Sequence, residues 1–186
     1  MSRTRDKHRP LLSGLRIMSR IGEINTLLVG SGTFTGLATR NSDGKKVLVT
    51  NLHVLAGDDD NGNLRNPSGN EEMYQGLGNP SDKVGGDLDW EPLSFTGVNY
   101  ADVAMCELED GVAAEFTLHD SPEHTDRKII AGVMEPTKGM ELTLLGARTG
   151  EKTATVLDIN QDDGDFLGLR FDGLIEDARQ PLPGGR

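Results

Sequence analysis

His53 is the residue whose type and surroundings could best support acid–base chemistry. It follows the apolar segment 46–50 (Lys-Val-Leu-Val-Thr) and precedes a polar region, so we expect it at a strand end, held rigidly with one face open. An imidazole in such a place can take and return a proton at neutral pH. The alternative is a half-buried histidine with an ordinary hydrogen bond.

Asp102 is the second candidate, because it opens the apolar segment 102–108. A carboxylate at the mouth of a buried strand is costly unless it is paired. A neutral imidazole that donates its Nδ1 proton to a carboxylate is held in one tautomer, and the cation formed in catalysis is stabilised. The alternative is an aspartate that only caps a turn at the strand start.

The elements that must position these residues are predicted to be short strands. Residues 24–29, 33–39 and 46–50 favour two or three consecutive antiparallel strands, with turns at Gly30-Ser31-Gly32 and at Asn41-Ser42-Asp43-Gly44. Residues 57–92 are rich in Gly, Asn, Asp and Pro and predict a long loop. Further strands are predicted at 93–97, 102–108, 140–145, 152–159 and 166–171. This pattern indicates an all-β barrel or sandwich.

Three segments resemble the trypsin-like (chymotrypsin-fold) serine peptidases, and most closely their bacterial, disulfide-poor branch. They are Gly32-Thr33-Phe34 with its strand, residues 47–57 with the sequence Thr-Asn-Leu-His-Val, and residues 101–108 with Ala-Asp-Val-Ala. The resemblance covers about residues 24–175. It implies a chymotrypsin-like double β-barrel whose second barrel is incomplete, with His53 as the base and Asp102 as the aspartate that orients it.

The basic residues at the start of the chain predict that residues 1–19 form a flexible leader, with a tail that contacts an acidic partner as the alternative. For the rest, the resemblance implies a division into 20–118 as the first, six-stranded barrel with His53 and Asp102, 119–136 as a connector, and 137–186 as part of a second barrel. The turn at 146–150 (Gly-Ala-Arg-Thr-Gly) resembles the first hairpin of that second barrel.

The nucleophile of this family, a serine in a Gly-Asp-Ser-Gly-Gly-type loop, is missing. No serine follows Ser121, and Cys106 lies in mid-strand, where a small buried residue is expected. Residues 180–186 fall where the family begins its oxyanion loop. The favoured interpretation is a serine endopeptidase fragment that ends before the nucleophile. Half of a split peptidase and an inactive pseudo-peptidase that binds or regulates proteins remain open.

Charge and composition exclude several other classes. The net charge is −11, and residues 1–20 hold six Lys or Arg against one Asp, which leaves −16 on the rest, so nucleic-acid binding is not expected. No segment reaches the roughly 20 apolar residues that span a bilayer. A single cysteine and no secretory signal favour a cytoplasmic protein.

The expected partners are a peptide or protein substrate and a companion chain that completes the second barrel. No cofactor is expected. Asp58-Asp59-Asp60 begins an acidic stretch that lacks the EF-hand spacing, because Asn63 stands where glycine is required, so no metal is expected either.

Overall fold

The computed structural model describes residues 6–21, 28–57, 64–76, 78–118, 129–161, 164–166 and 169–179. Strands dominate these residues, so the all-β class is confirmed. Those up to residue 118 are β1 (Leu11–Ser13), β2 (Arg16–Ile21), β3 (Leu28–Thr33), β4 (Gly36–Thr39), β5 (Lys46–Thr50), β6 (Glu71–Tyr74), β7 (Lys83–Trp90), β8 (Val98–Asn99), β9 (Ala104–Leu108) and β10 (Ala114–Leu118). The later ones are β11 (Glu141–Gly146), β12 (Gly150–Gln161), β13 (Gly164–Phe166), β14 (Leu169–Phe171) and β15 (Leu174–Arg179).

The helical elements described are short: α1 (Leu52–Ala56) and a 3₁₀ turn at Pro80–Asp82. The connector residues 119–128 and the end of the chain, 180–186, lie outside the described residues.

One sheet contains the segments that carry both candidate residues. Its order is β3-β2-β6-β7-β9-β5-β4, and every neighbouring pair is antiparallel. The two end strands, β3 and β4, follow one another in the chain and are joined only by Phe34 and Thr35. The sheet therefore curls, because this two-residue connection brings its two end strands near each other at the bend.

The core fills the inside of the curled sheet. Phe34 at the bend is completely buried, as are Leu48 of β5, Met73 of β6 and Val84 of β7. Burial of each such side chain contributes about 1.5–3 kcal/mol relative to exposure. Leu52 of α1 belongs to the same cluster, which ties the helix to the sheet.

Three smaller sheets complete the described structure. β11, β12 and β15 form an antiparallel sheet with β12 in the middle, β13 and β14 form a hairpin that β8 joins in parallel, and β1 pairs with β10. The predicted strands at 140–145 and 152–159 correspond to β11 and β12, which confirms the hairpin between them.

The flexible leader is a wrong prediction for residues 11–19. These residues form β1 and most of β2, and Leu11, Leu15 and Ile17 are at most 1% exposed. The backbone N–H of Leu11 donates to the Ala113 carbonyl at 2.8 Å. The apolar side chains of this segment enter the core, while Arg16 stays at the surface and donates to the Ser31 hydroxyl at 2.8 Å.

Two further predictions need correction. The segment 30–32 is not a turn but part of strand β3. The supposed long loop 57–92 contributes β6 and β7 to the middle of the main sheet. The turn at 41–44 is confirmed, since it joins β4 and β5 in an antiparallel hairpin.

Candidate active site

His53 lies on α1, one turn of helix that directly follows β5. Every other residue of α1 is buried, whereas the His53 side chain remains 29% exposed. The predicted strand-end position is thus refined to a short helix, entered through Asn51 in an extended conformation and left at Gly57 with φ of 64°. The buried residues fix the helix, and His53 is the one side chain that faces outwards.

The glycines of β3 form the floor beneath α1. A Cβ atom at Gly30 would lie 2.1 Å from the carbonyl oxygen of Val54, and one at Gly32 would lie 2.4 Å from a methyl group of Val54. Only glycine lets the helix backbone approach this closely. The hydroxyl of buried Ser19 on β2 donates to the same Val54 carbonyl at 3.1 Å. The glycine-rich segment therefore positions the residue next to His53.

Asp102 lies just before β9, beside the end of β5. The pairing of Thr50 with Ala104 brings these two chain segments together. One carboxylate oxygen, Oδ2, is 2.5 Å from Nδ1 of His53, and the other, Oδ1, accepts the backbone N–H of His53 at 3.1 Å. The structure thus brings the two predicted site residues into direct contact across 49 positions of sequence.

The environment keeps Asp102 ionised. Its side chain is only 13% exposed, and this burial works to raise the pKa of the carboxyl. Burial is outweighed by the hydrogen bond from the His53 side chain, by the charge of His53, and by hydrogen bonds from the backbone N–H groups of His53 and Leu52. The pKa of Asp102 therefore lies below its ordinary value.

Asn51 is a third member of the site that sequence reasoning did not assign a role. Its Nδ2 donates to the backbone carbonyl of Asp102 at 3.1 Å and to Oδ2 at 3.3 Å. The amide thereby holds both the main chain and the carboxylate of Asp102. The available signal was the position of Asn51 two residues before the histidine, at the point where β5 ends.

This arrangement defines what the imidazole can do. A carboxylate only accepts hydrogen bonds, so the proton shared with Asp102 belongs to Nδ1 of His53. Nε2 is then the nitrogen that carries the basic lone pair of the neutral ring. A histidine in this tautomer can remove a proton from a hydroxyl or water at Nε2, and the adjacent carboxylate stabilises the resulting cation.

Cys106 does not supply a nucleophile to this histidine. Its side chain is 0% exposed, and burial raises the pKa of the thiol to about 12. A thiol in that state is almost entirely protonated at neutral pH and is out of reach of a substrate. It fills the core, as expected from its position in mid-strand.

A cleft of about 280 Å³ lies near the segment that precedes Asp102. It is lined by residues 94–98 together with Leu169 and Arg170, and it includes neither His53 nor Asp102. Within the described ranges, no group of three or more His, Cys, Asp or Glu side chains is placed to hold a metal ion. The acidic stretch at 58–63 lies outside those ranges.

No helix of the described chain is both long and apolar enough to cross a bilayer. No protein-family model matches the sequence, and a search of curated proteins finds no match.

Proposed function

We propose that His53 and Asp102 are the base and the orienting carboxylate of a serine endopeptidase of the trypsin-like class. The single observation that carries this proposal is the two-point contact of Asp102 with His53, to Nδ1 at 2.5 Å and to the backbone N–H at 3.1 Å. A carboxylate held in this way fixes both the tautomer and the direction of the ring. A purely structural histidine needs neither.

The architecture supports the same proposal. If β3 and β4 are counted as one strand bent at Phe34, the curled main sheet has six strands, the number expected for the first barrel. The hairpin of β11 and β12 with β15 supplies strands for a second barrel. The complete chymotrypsin-like double barrel is part of the proposal.

The proposed reaction is acyl transfer to a serine supplied by polypeptide outside these 186 residues. His53 takes the hydroxyl proton at Nε2 while the serine oxygen attacks the peptide carbonyl. The same proton then passes to the leaving amine, and the peptide C–N bond breaks to give an acyl-enzyme. Water, deprotonated by His53 in turn, releases the acid and restores the serine. Asp102 remains ionised throughout.

The second candidate is a protein-binding module derived from such a peptidase. The observation behind it is that residues 122–186 contain no serine, so the given residues supply no nucleophile of the family's type to His53. In that case His53 and Asp102 would form a contact without catalysis. The expectations of a companion chain, a cytoplasmic location and no nucleic-acid partner stay predictions.

The deciding experiment starts from the encoding reading frame beyond Arg186. We expect a Gly-x-Ser-Gly segment there or in a companion chain, and hydrolysis of a peptide library by the completed protein. H53A is expected to abolish cleavage, and D102N to lower kcat by about 10⁴-fold. D110N, at an exposed turn position, is the matched control and should leave cleavage unchanged.

Two results would contradict the proposal. A stop codon directly after Arg186 with no companion chain would exclude the enzyme and leave the binding module. Unchanged cleavage by H53A in the completed protein would remove His53 from the role of base.

A further inference from the structure

Asn99 is buried and forms an unusually complete set of hydrogen bonds. The residue as a whole is only 5% exposed. Nδ2 donates to the carbonyl of Ser94 at 3.0 Å and to the carbonyl of Arg170 at 3.1 Å, while Oδ1 accepts the N–H of Ser94 at 2.7 Å. The Asn99 carbonyl accepts the N–H of Asp172 at 3.0 Å. The residue thus joins its own loop to the region of β14.

Asn99 lies close in sequence to Asp102, so its hydrogen bonds restrain the chain next to the candidate site. Asp102 follows three residues later, and after it the chain enters β9 of the main sheet. Tyr100, in between, is 78% exposed and contributes little packing. Asn51 holds Asp102 itself, and β9 holds the chain that follows it. On the preceding side, the segment is held by the hydrogen bonds of Asn99.

The anchor reaches a sheet that does not contain His53. β8, which ends at Asn99, pairs in parallel with β14 through Val98↔Arg170 and Asn99↔Phe171. The histidine lies on α1 against the main sheet, whereas this side of the aspartate segment is tied to the small sheet of β13, β14 and β8.

We propose that Asn99 is a positioning residue that ties the segment bearing Asp102 to β14, so that the alignment of Asp102 with His53 depends on the small sheet. This inference rests on the proposed function of the pair. It adds a link between the segment that bears Asp102 and the small sheet of β13, β14 and β8, and it assigns a role to a residue outside the His53–Asp102 contact. Loosening the link removes the restraint on the preceding side of Asp102 and leaves the hydrogen bonds from Asn51, so the carboxylate moves more widely relative to Nδ1.

The test uses the 186-residue chain labelled with ¹⁵N at histidine, and follows the Nδ1 proton of His53 by NMR. A proton held between imidazole and carboxylate resonates far downfield and exchanges slowly with water. D172P removes the N–H that donates to the Asn99 carbonyl, while D172A, the matched control, keeps it and removes the same carboxylate. N99D keeps the size of the side chain and the acceptor for Ser94 but loses both donated bonds.

We expect exchange of the Nδ1 proton to be at least about tenfold faster in D172P and N99D than in the wild type and D172A. Far-UV circular dichroism identifies which variants are folded, and either folded variant is sufficient. Wild-type exchange in a folded D172P or N99D would overturn the role of Asn99. Absence of the downfield signal in the wild type itself would instead contradict the His53–Asp102 pair, so the two failures are distinguishable.

Discussion

The packing of α1 on β3 leads to a sharp prediction for Gly30→Ala. The added Cβ atom would lie 2.1 Å from the Val54 carbonyl oxygen and 2.9 Å from the Ser19 hydroxyl oxygen. Ordinary contact begins near 3.4 Å, so α1 must retreat by about 1.3 Å or β3 must move by a similar amount. Overpacking of this kind typically costs 1–3 kcal/mol.

The same displacement should reach the candidate site, because His53 directly precedes Val54 in α1. We expect G30A to lower the free energy of unfolding by about 2 kcal/mol in urea denaturation. We also expect the Nδ1 proton signal of His53 to broaden, and in the completed enzyme a shift of about 1 Å should cost on the order of 10² in kcat.

Gly86→Ala is the matched control, since a Cβ atom at Gly86 meets no atom within 4 Å and this strand glycine lies outside the left-handed region of φ. It should change stability by no more than about 0.5 kcal/mol. Equal stability and equal His53 spectra for the two alanine variants would refute the argument that the glycines of β3 position α1.

Two further predictions concern titration and reactivity. The depressed pKa of Asp102 stabilises the fold above its ordinary value of 3.8, and this contribution is lost as the pH falls through the folded value. Urea denaturation should therefore show D102N less stable than the wild type at pH 7, with the difference shrinking below about pH 4; a constant difference would contradict the assignment. Cys106, with its pKa raised to about 12, should react with a thiol reagent only after denaturant is added, and rapid labelling of the native chain would place it outside the core.

The two residues of the candidate site were easier to predict from the sequence than the strands that position them. His53 and Asp102 could be singled out because each residue type stands at the edge of an apolar segment, and the structure places them in contact. Their catalytic roles remain proposals. Asn51 had only its position beside the histidine as a signal, and Ser19 had none, because a single polar side chain in a sequence does not indicate which distant backbone group it will meet.

The errors at β3 and β7 arise from glycines, whose intrinsic strand propensity is unfavourable. Gly30 and Gly32 were interpreted as a turn, yet they lie in β3 because α1 packs against them. Gly85 in β7 likewise allows the backbone of β9 to approach closely, since an added Cβ atom at Gly85 would lie 2.3 Å from the Glu107 carbonyl oxygen. Close backbone approach is a tertiary requirement, and local propensity does not record it.

The first strands were missed for a different reason. Arg16 and Arg20 flank Ile17 in β2, and the high charge of this segment suggested a solvated leader. In the structure Ile17 is buried, while Arg20 donates to the Gly78 carbonyl at 2.5 Å and lies over the Tyr74 ring at 5.5 Å. The charged ends of β2 therefore hid a buried centre, in which Ile17, Met18 and Ser19 are at most 5% exposed and which pairs with β6.

The most direct test of the account is the Nδ1 proton of His53 in the chain as it stands. The two-point contact with Asp102 predicts a far-downfield resonance that is present in the wild type and in D110N and absent in D102A. A wild-type spectrum without that resonance, or one in which D102A retains it, would show that the imidazole is not held by this carboxylate and would remove the basis for the proposed peptidase.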